Sequence, residues 1–408
     1  MALTPSSTVA ALPPALPRVR PGLAFVWPAA VLAAVLSIAL LGGGFLIQLT
    51  TQVLVLWCFG LSYQLLFGRT GMLSFGHAVN FGLAAFVTAH AVRWLGGGWP
   101  VYELLPLVGA TMGLACGVVL GYPVTRRSGV AFAMVTLGLG ELVAACFLMV
   151  PGFFGGEAGV TLQRTRVASL LGIDYGRGSA QLLLTATWAL AVLAAVRWLA
   201  RTPFGLATLA VRENPQRAEY AGFCAANVRW ASYLVASTLA GVAGALSALA
   251  YEIVTVDAVS LHSSANVLLM TVIGGMGSTL GPLVGAIFLS VMQSVVSEWT
   301  RAWLFYYGFV FVTLVWLAPE GITGLCGSAW QRRARPGATA LTVARLVGFA
   351  LALVVFIETA YQLALGEPTR LPGWQGLSPM ALQAVLWGSG LVVSLWLMRV
   401  IHRVGGQR

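Results

Sequence analysis

Long apolar runs broken by short polar or glycine-rich stretches set the pattern of this chain from Leu23 onward. Runs of this length are what a hydrocarbon layer of about 30 Å demands of a helix. The alternating ten-residue segments of a membrane barrel are absent. The pattern predicts helical spans at about 23–42, 45–67, 71–92, 101–122, 129–150, 180–199, 229–251, 264–277, 281–297 and 303–318, with two more at about 342–365 and 380–400. The expected fold class is an all-α integral membrane protein, a polytopic helical bundle of about 10 core spans plus about 2 extra C-terminal spans.

Arginines between the runs test that count. Arg18 and Arg20, Arg69, Arg126 and Arg127, the stretch Arg201 to Arg229, Arg332, Arg333 and Arg335, and Arg399 and Arg403 flank the spans. Loops of this kind are retained in the cytoplasm, so an even number of crossings should separate successive clusters. Taken as one long helix, 264–297 violates that parity between Arg229 and Arg332. A break at Gly277-Ser278-Thr279-Leu280-Gly281-Pro282 restores it and suits the glycine and proline chemistry. The first half is then short for a full crossing. The same parity puts 151–178, and the stretch with Asp257 and His262, on the outer face.

Three parts follow: a cytoplasmic tail (1–22), a transmembrane domain (23–326) with a cytoplasmic loop at 201–229, and a basic linker with two additional helices (327–408). Both termini are expected in the cytoplasm. The start resembles a signal peptide, but only Gly42-Gly43-Gly44 and another span follow the apolar run, so an uncleaved first helix is expected.

Small residues recur at helical spacing. Gly109, Gly113, Gly117 and Gly121 lie four apart, as do Gly277, Gly281 and Gly285. In lipid such faces let backbones approach closely, so Gly113, Gly117, Gly277 and Gly281 are read as packing or hinge glycines. A faint echo between residues 82–86 and 284–288 hints at an internal repeat.

Composition narrows the function. With 59% hydrophobic and 9% charged residues, the chain cannot be a soluble domain. Its net charge of +11 sits in short loops, which fixes orientation and marks no nucleic-acid partner. Cys58, Cys116, Cys146, Cys224 and Cys326 lack paired spacing, so no zinc site, disulfide framework or cofactor is expected. There is no catalytic triad pattern, no metal-spaced cluster and no GxxxxGK[ST] loop, and the chain contains no lysine. An enzyme is not expected. If ATP drives this protein, the ATPase is a separate chain.

The island Arg201–Arg229 holds six formal charges. Within it, Asn214 can cap a helix, Pro215 fits the first helical position and Gly222 can end the helix in the left-handed conformation. Two turns do not persist alone in water, so the helix must pack on its own bundle or on a partner. Ala218, Tyr220 and Ala221 supply apolar surface among Arg212, Glu213, Arg217 and Glu219, a pattern suited to a groove on a soluble protein. An ordinary topology-fixing loop is the alternative reading.

The stretch FGLATLAVRENPQRAEYAGFCAANVRWASYLVASTLAGVAGAL resembles the cytoplasmic loop and following helix of the branched-chain amino acid ABC transporter permeases, M-type subunit. GRTGMLSFGHAVNFGLAAF (68–86), FAMVTLGLGELV (132–143), FGGEAGV (154–160), VIGGMGSTLGPLVGAIF (272–288) and LAPEGITGL (317–325) match in the family's order, over about residues 45 to 326. The resemblance implies an inner-membrane importer subunit working with a second permease, two ABC ATPases and an external substrate-binding protein. By position, Arg212, Glu213, Asn214, Ala218 and Gly222 would be the ATPase-coupling set. Pro215, the pair Arg229-Trp230 and the last two helices depart from the family pattern.

Among the polar residues inside spans, three are candidates for function. Glu141 is costly there, by about 2.5–3.5 kcal/mol on insertion scales, and should face the bundle or a watery cavity. His77 and Asn80 are candidates either for lining a pathway or for interhelical hydrogen bonds. Two other readings stay open: a permease for urea or another small polar solute, and an ion-coupled secondary transporter that uses Glu141.

Overall fold

The computed structural model describes residues 23–317 and 320–324, apart from 96–100, 168, 171 and 301, together with 385 and 388. The tail 1–22, nearly all of 327–408 and the two extra spans lie outside the described residues. Within them the bundle is built from α1 (Leu23–Leu41), α2 (Gly44–Tyr63), α3 (His77–Leu95), α4 (Leu105–Val119), α5 (Val130–Met149), α6 (Gly178–Arg201), α7 (Pro203–Glu213), α8 (Pro215–Tyr220), α9 (Ala225–Tyr251), α10 (Leu261–Gly274), α11 (Gly281–Val291) and α12 (Trp303–Leu317). Apart from α7 and α8, each follows one of the ten expected core spans. The stretches that include α2, α4, α5, α6 and α9 are long and apolar enough to cross a bilayer, and shorter apolar helices run within α1, α10 and α12 and from α11 on to Val296.

Helix α9 is the axis. It packs on α2, α3 and α4, and glycine makes those approaches possible. A Cβ on Gly241 would lie 2.2 Å from the Gly109 carbonyl oxygen, and one on Gly113 would lie 2.2 Å from that of Ser237. Gly117 meets the Ser237 hydroxyl, and Gly244 the Phe81 carbonyl, at similar separations. With no hydrophobic drive between helices in lipid, dispersion across such seams is what holds them.

One end of the bundle collects the arginine-bearing turns. Arg69 donates to the carbonyls of Ala200 (3.5 Å) and Gly205 (3.3 Å). Tyr122, just before Arg126 and Arg127, meets the Trp230 ring at the start of α9. At the opposite end, β1 (Val160–Thr161) pairs antiparallel with β2 (Ile253–Val254), and Glu252 holds Arg164 at 3.2 Å. There too Glu103 accepts from Ser169, Tyr175 and the Leu170 amide. Burial and the neighbouring Glu103 push the Tyr175 phenol up to about 12, so it stays a donor.

Two local features depart from simple crossings. Helix α2 runs on through a π turn, Gln64–Arg69, and the chain then stays non-helical from Gly71 to Gly76 before α3 begins at His77. The apolar pattern alone predicts a helix start at 71. Gly76 approaches the backbone of Thr136 so closely that a Cβ would sit 2.1 Å from its carbonyl oxygen, and the Phe75 amide donates to the Thr136 hydroxyl. Irregular backbone at membrane depth is tolerated only where protein satisfies it in this way. The second feature is the break between α10 and α11, which spans Gly275–Leu280 at the arginine end. Helix α10 has 14 residues, or about 21 Å, short of a full hydrocarbon layer.

Candidate functional site

Helix α6 ends at Arg201, and two capped restarts follow. Thr202 accepts from the Gly205 amide (3.3 Å) with Pro203 in the first turn of α7. Asn214 accepts from the Arg217 amide (3.1 Å) with Pro215 in the first turn of α8. The same physics opens both: a polar side chain fills an orphan amide, and proline has no amide to lose. Gly222, at φ +90°, closes α8, its amide donating to Glu219 and that of Phe223 to Ala218. The loop is thus a helical pair rather than one isolated helix.

That pair has its own small core of Ala207, Val211, Ala218, Ala225 and Val228. Its other surface faces outward: Glu213, Gln216, Arg217, Glu219, Tyr220 and Ala221 are exposed. Tyr220 stands out, with 93% of its surface open. One member of the expected contact set is buried, and another, Arg212, is exposed but also bonds the bundle. Ala218 is only 3% exposed, because it sits on the helix face that closes on Ala207 and Val211. Arg212 sends its guanidinium back to the Gly68 carbonyl, and its stem lies against Gly71. Asn214 caps, Gly222 terminates, and Glu213 remains free to meet another chain.

Arg212 therefore leads into the bundle. The π turn that carries Gly68 also carries Gln64, whose side-chain amide donates to the carbonyls of Met276 (3.1 Å) and Ser278 (2.7 Å) in the break between α10 and α11. The Ser278 hydroxyl accepts from the Gly281 amide at the α11 start and donates to Thr323, which in turn donates to Gly274 (2.9 Å). Gly281 approaches the Gly275 carbonyl so closely that no Cβ would fit, whereas Gly277 has open space around it. Gly281 is thus a packing glycine. Gly277 is not, and lies within the break.

The polar residues inside the bundle form a second centre. His77 is fully buried, stacked on Phe59 with ring centroids 5.6 Å apart and edge-on to Tyr63. Ser62 donates its hydroxyl hydrogen to the Phe59 carbonyl, so in the 2.9 Å contact between Ser62 and His77 the ring nitrogen Nε2 is the donor. Asn80 donates to the Tyr233 hydroxyl at 3.3 Å, and the Ala78 amide to Ser264. Buried and without a protein partner are His77 Nδ1, Asn80 Oδ1 and the Ser74 hydroxyl. The structure does not bring Glu141 to them. It is exposed on α5, while Phe132, Ala133, Thr136, Gly140 and Phe147 form the buried face of that helix. Of the two surroundings expected for Glu141, the bundle and a watery cavity, the first is not met within this chain, because the residue lies outside the packing stripe of α5.

Sequence reasoning passes over Gln64, Ser62, Tyr233 and Ser264 as site residues. An amide inside an apolar run one turn before Arg69 is the available signal. Among the described residues no cluster of metal-ligating side chains occurs.

Among the described residues, ten bundle helices, a glycine-packed axis and a capped helical pair at the arginine-bearing end define a multi-pass membrane protein of the transporter permease class. The family model described as branched-chain amino acid transport system, permease component, matches residues 45–318, and the chain belongs to that family. It is 27% identical over 297 residues, 68% of this chain and 69% of the relative, to the high-affinity branched-chain amino acid transport system permease protein LivM of Escherichia coli K12. The LivM protein of Salmonella typhimurium is 25% identical over 299 residues, with the same shares covered. A probable branched-chain amino acid transport permease protein LivH of Methanocaldococcus jannaschii is 25% identical over 235 residues, 54% of this chain and 73% of that one. No solved structure matches.

Proposed function

We propose that the chain is one of two membrane subunits of an ABC importer for branched-chain or closely related amino acids. It would pair with a second permease, receive substrate from an external binding protein and draw energy from two ATPase subunits docked on the pair α7–α8. Under this reading it lies in a bacterial inner membrane with the arginine-bearing end in the cytoplasm. ATP binding closes the ATPases on each other, and the differential affinity of ATP for their open and closed forms is delivered to the bundle through rigid contact. Relatives of both the LivM and LivH kinds support the pairing of two unlike permeases.

One observation carries this reading. Helix α8 has six residues, too few to persist alone, yet it is capped at both ends, packed on its inner face and presents Tyr220 outward. An exposed aromatic amid mixed charges is the composition of a docking hot spot. In the assembled transporter, Tyr220→Ala should weaken ATPase binding by about 30-fold, or ~2 kcal/mol, and depress uptake of leucine, isoleucine and valine, while the protein still inserts. Unaltered co-purification of the ATPases together with unaltered uptake refutes the docking role.

A further inference from the structure

We infer that the π turn Gln64–Arg69 is the relay by which the loop moves the break between α10 and α11, with Gln64 as its positioning residue; this rests on the docking role proposed for α7–α8. The π turn is bonded on both sides. Toward the loop, Gly68 accepts from Arg212, and Arg69 donates to Ala200 and Gly205 at the α6–α7 junction. Toward the break, Gln64 donates to Met276 and Ser278. Ser278 accepts from the Gly281 amide at the start of α11 and bonds Thr323, so a shift of Gln64 acts on the start of one helix and, through Thr323, on the end of another.

The geometry suits transmission rather than mere packing. A π turn is a local distortion of the helical ladder that concentrates at functional positions, and here it lies where loop and break both touch α2. Gln64 is 7% exposed, and its side-chain oxygen has no protein partner. Only its donor end is engaged, on the Met276 carbonyl and on the Ser278 carbonyl, which also accepts from the Gly281 amide. Glycine brings the two backbones together, since a Cβ on Gly68 would stand 3.2 Å from the Met276 carbonyl oxygen and 3.8 Å from the Met276 Cβ. Helix α2 is gripped again nearer its middle. Gln52 donates to Gln293 and accepts from Ser294 in a second π turn, Met292–Val296 (both 3.0 Å). Motion entering at Gln64 is thereby confined to the break instead of sliding α11 along α2.

The test uses the assembled complex in vesicles, with uptake and ATP hydrolysis measured together. Gln64→Leu keeps the volume and removes both donors. Uptake per ATP hydrolysed should fall about tenfold, a ratio unaffected by how much protein folds. The 3.8 Å separation lies in the range of a disulfide, so Gly68→Cys with Met276→Cys, in a background with Cys146, Cys224 and Cys326 changed to serine, can replace the hydrogen bonds by a covalent link. Oxidation should restore the ratio in the Gln64→Leu protein, reduction should abolish the rescue, and the same bridge in the Gln64 protein should leave transport running. An unchanged ratio in Gln64→Leu overturns the relay, as does a bridge that arrests uptake reversibly in the Gln64 protein. If Gln64→Leu does not assemble, the bridge in the Gln64 protein decides alone: continued uptake upholds the relay and reversible arrest overturns it. Failure of the docking role itself would show separately, as a Tyr220→Ala transporter that binds its ATPases and imports normally.

Discussion

Tyr220 and Ala218 sit two positions apart in one six-residue helix and have opposite fates, one almost wholly open and the other almost wholly covered. At 100° per residue a helix can send such neighbours to opposite faces, and sequence alone does not say which face meets the core. Glu141 escapes a sequence reading for the same reason, since residue type is legible and direction is not. Capping is legible because it is local. Asn214 does what its position requires, and its replacement provides a clean measure of that role. Asn214→Ala removes the bond to the Arg217 amide and should weaken α8 by about 1 kcal/mol. Amide hydrogen exchange across 217–221 would report it as roughly fivefold faster exchange. Equal protection in the two proteins would mean that packing, not the cap, holds the helix.

Elements are legible where composition marks their ends. Pro203 and Pro215 open helices, and Gly222 and Gly275 end them at positive φ. The break between α10 and α11 follows from arginine parity and appears where glycine and proline cluster. The unwound stretch Gly71–Gly76 is not legible, because what it meets lies in another element: Gly76 is pressed against the backbone of Thr136 on α5. The α4–α9 seam is a middle case. The glycine spacing on α4 is visible in the sequence, but its partner Gly241 becomes evident only in three dimensions. Gly241→Val would drive a branched side chain into the Gly109 carbonyl and should cost about 1–3 kcal/mol. That would lower the melting temperature in detergent, whereas Gly277→Ala, with open space around it, should not. Equal melting behaviour of the two variants would remove the seam from the account of stability.

At the scale of the whole molecule, orientation rests on where the arginines fall. Arg69, Arg126, Arg127 and Arg201–Arg229 gather at one end, while the β1–β2 pair, Glu252 and Asp257 mark the other. Retention of basic loops on the cytoplasmic side would put α7–α8 inside, where an ATPase can reach it. Everything proposed for Tyr220, Arg212 and Gln64 shares that requirement. In a protein with its exposed native cysteines replaced, Tyr220→Cys should react with a membrane-impermeant maleimide only in inside-out vesicles. Asp257→Cys should react only in right-side-out cells. Both sites lie in short surface elements rather than in the packed core, so labelling reports side rather than burial. The reverse pattern would place the helical pair outside, beyond any cytoplasmic motor, and the importer mechanism would fail with it even though the fold and the family would stand.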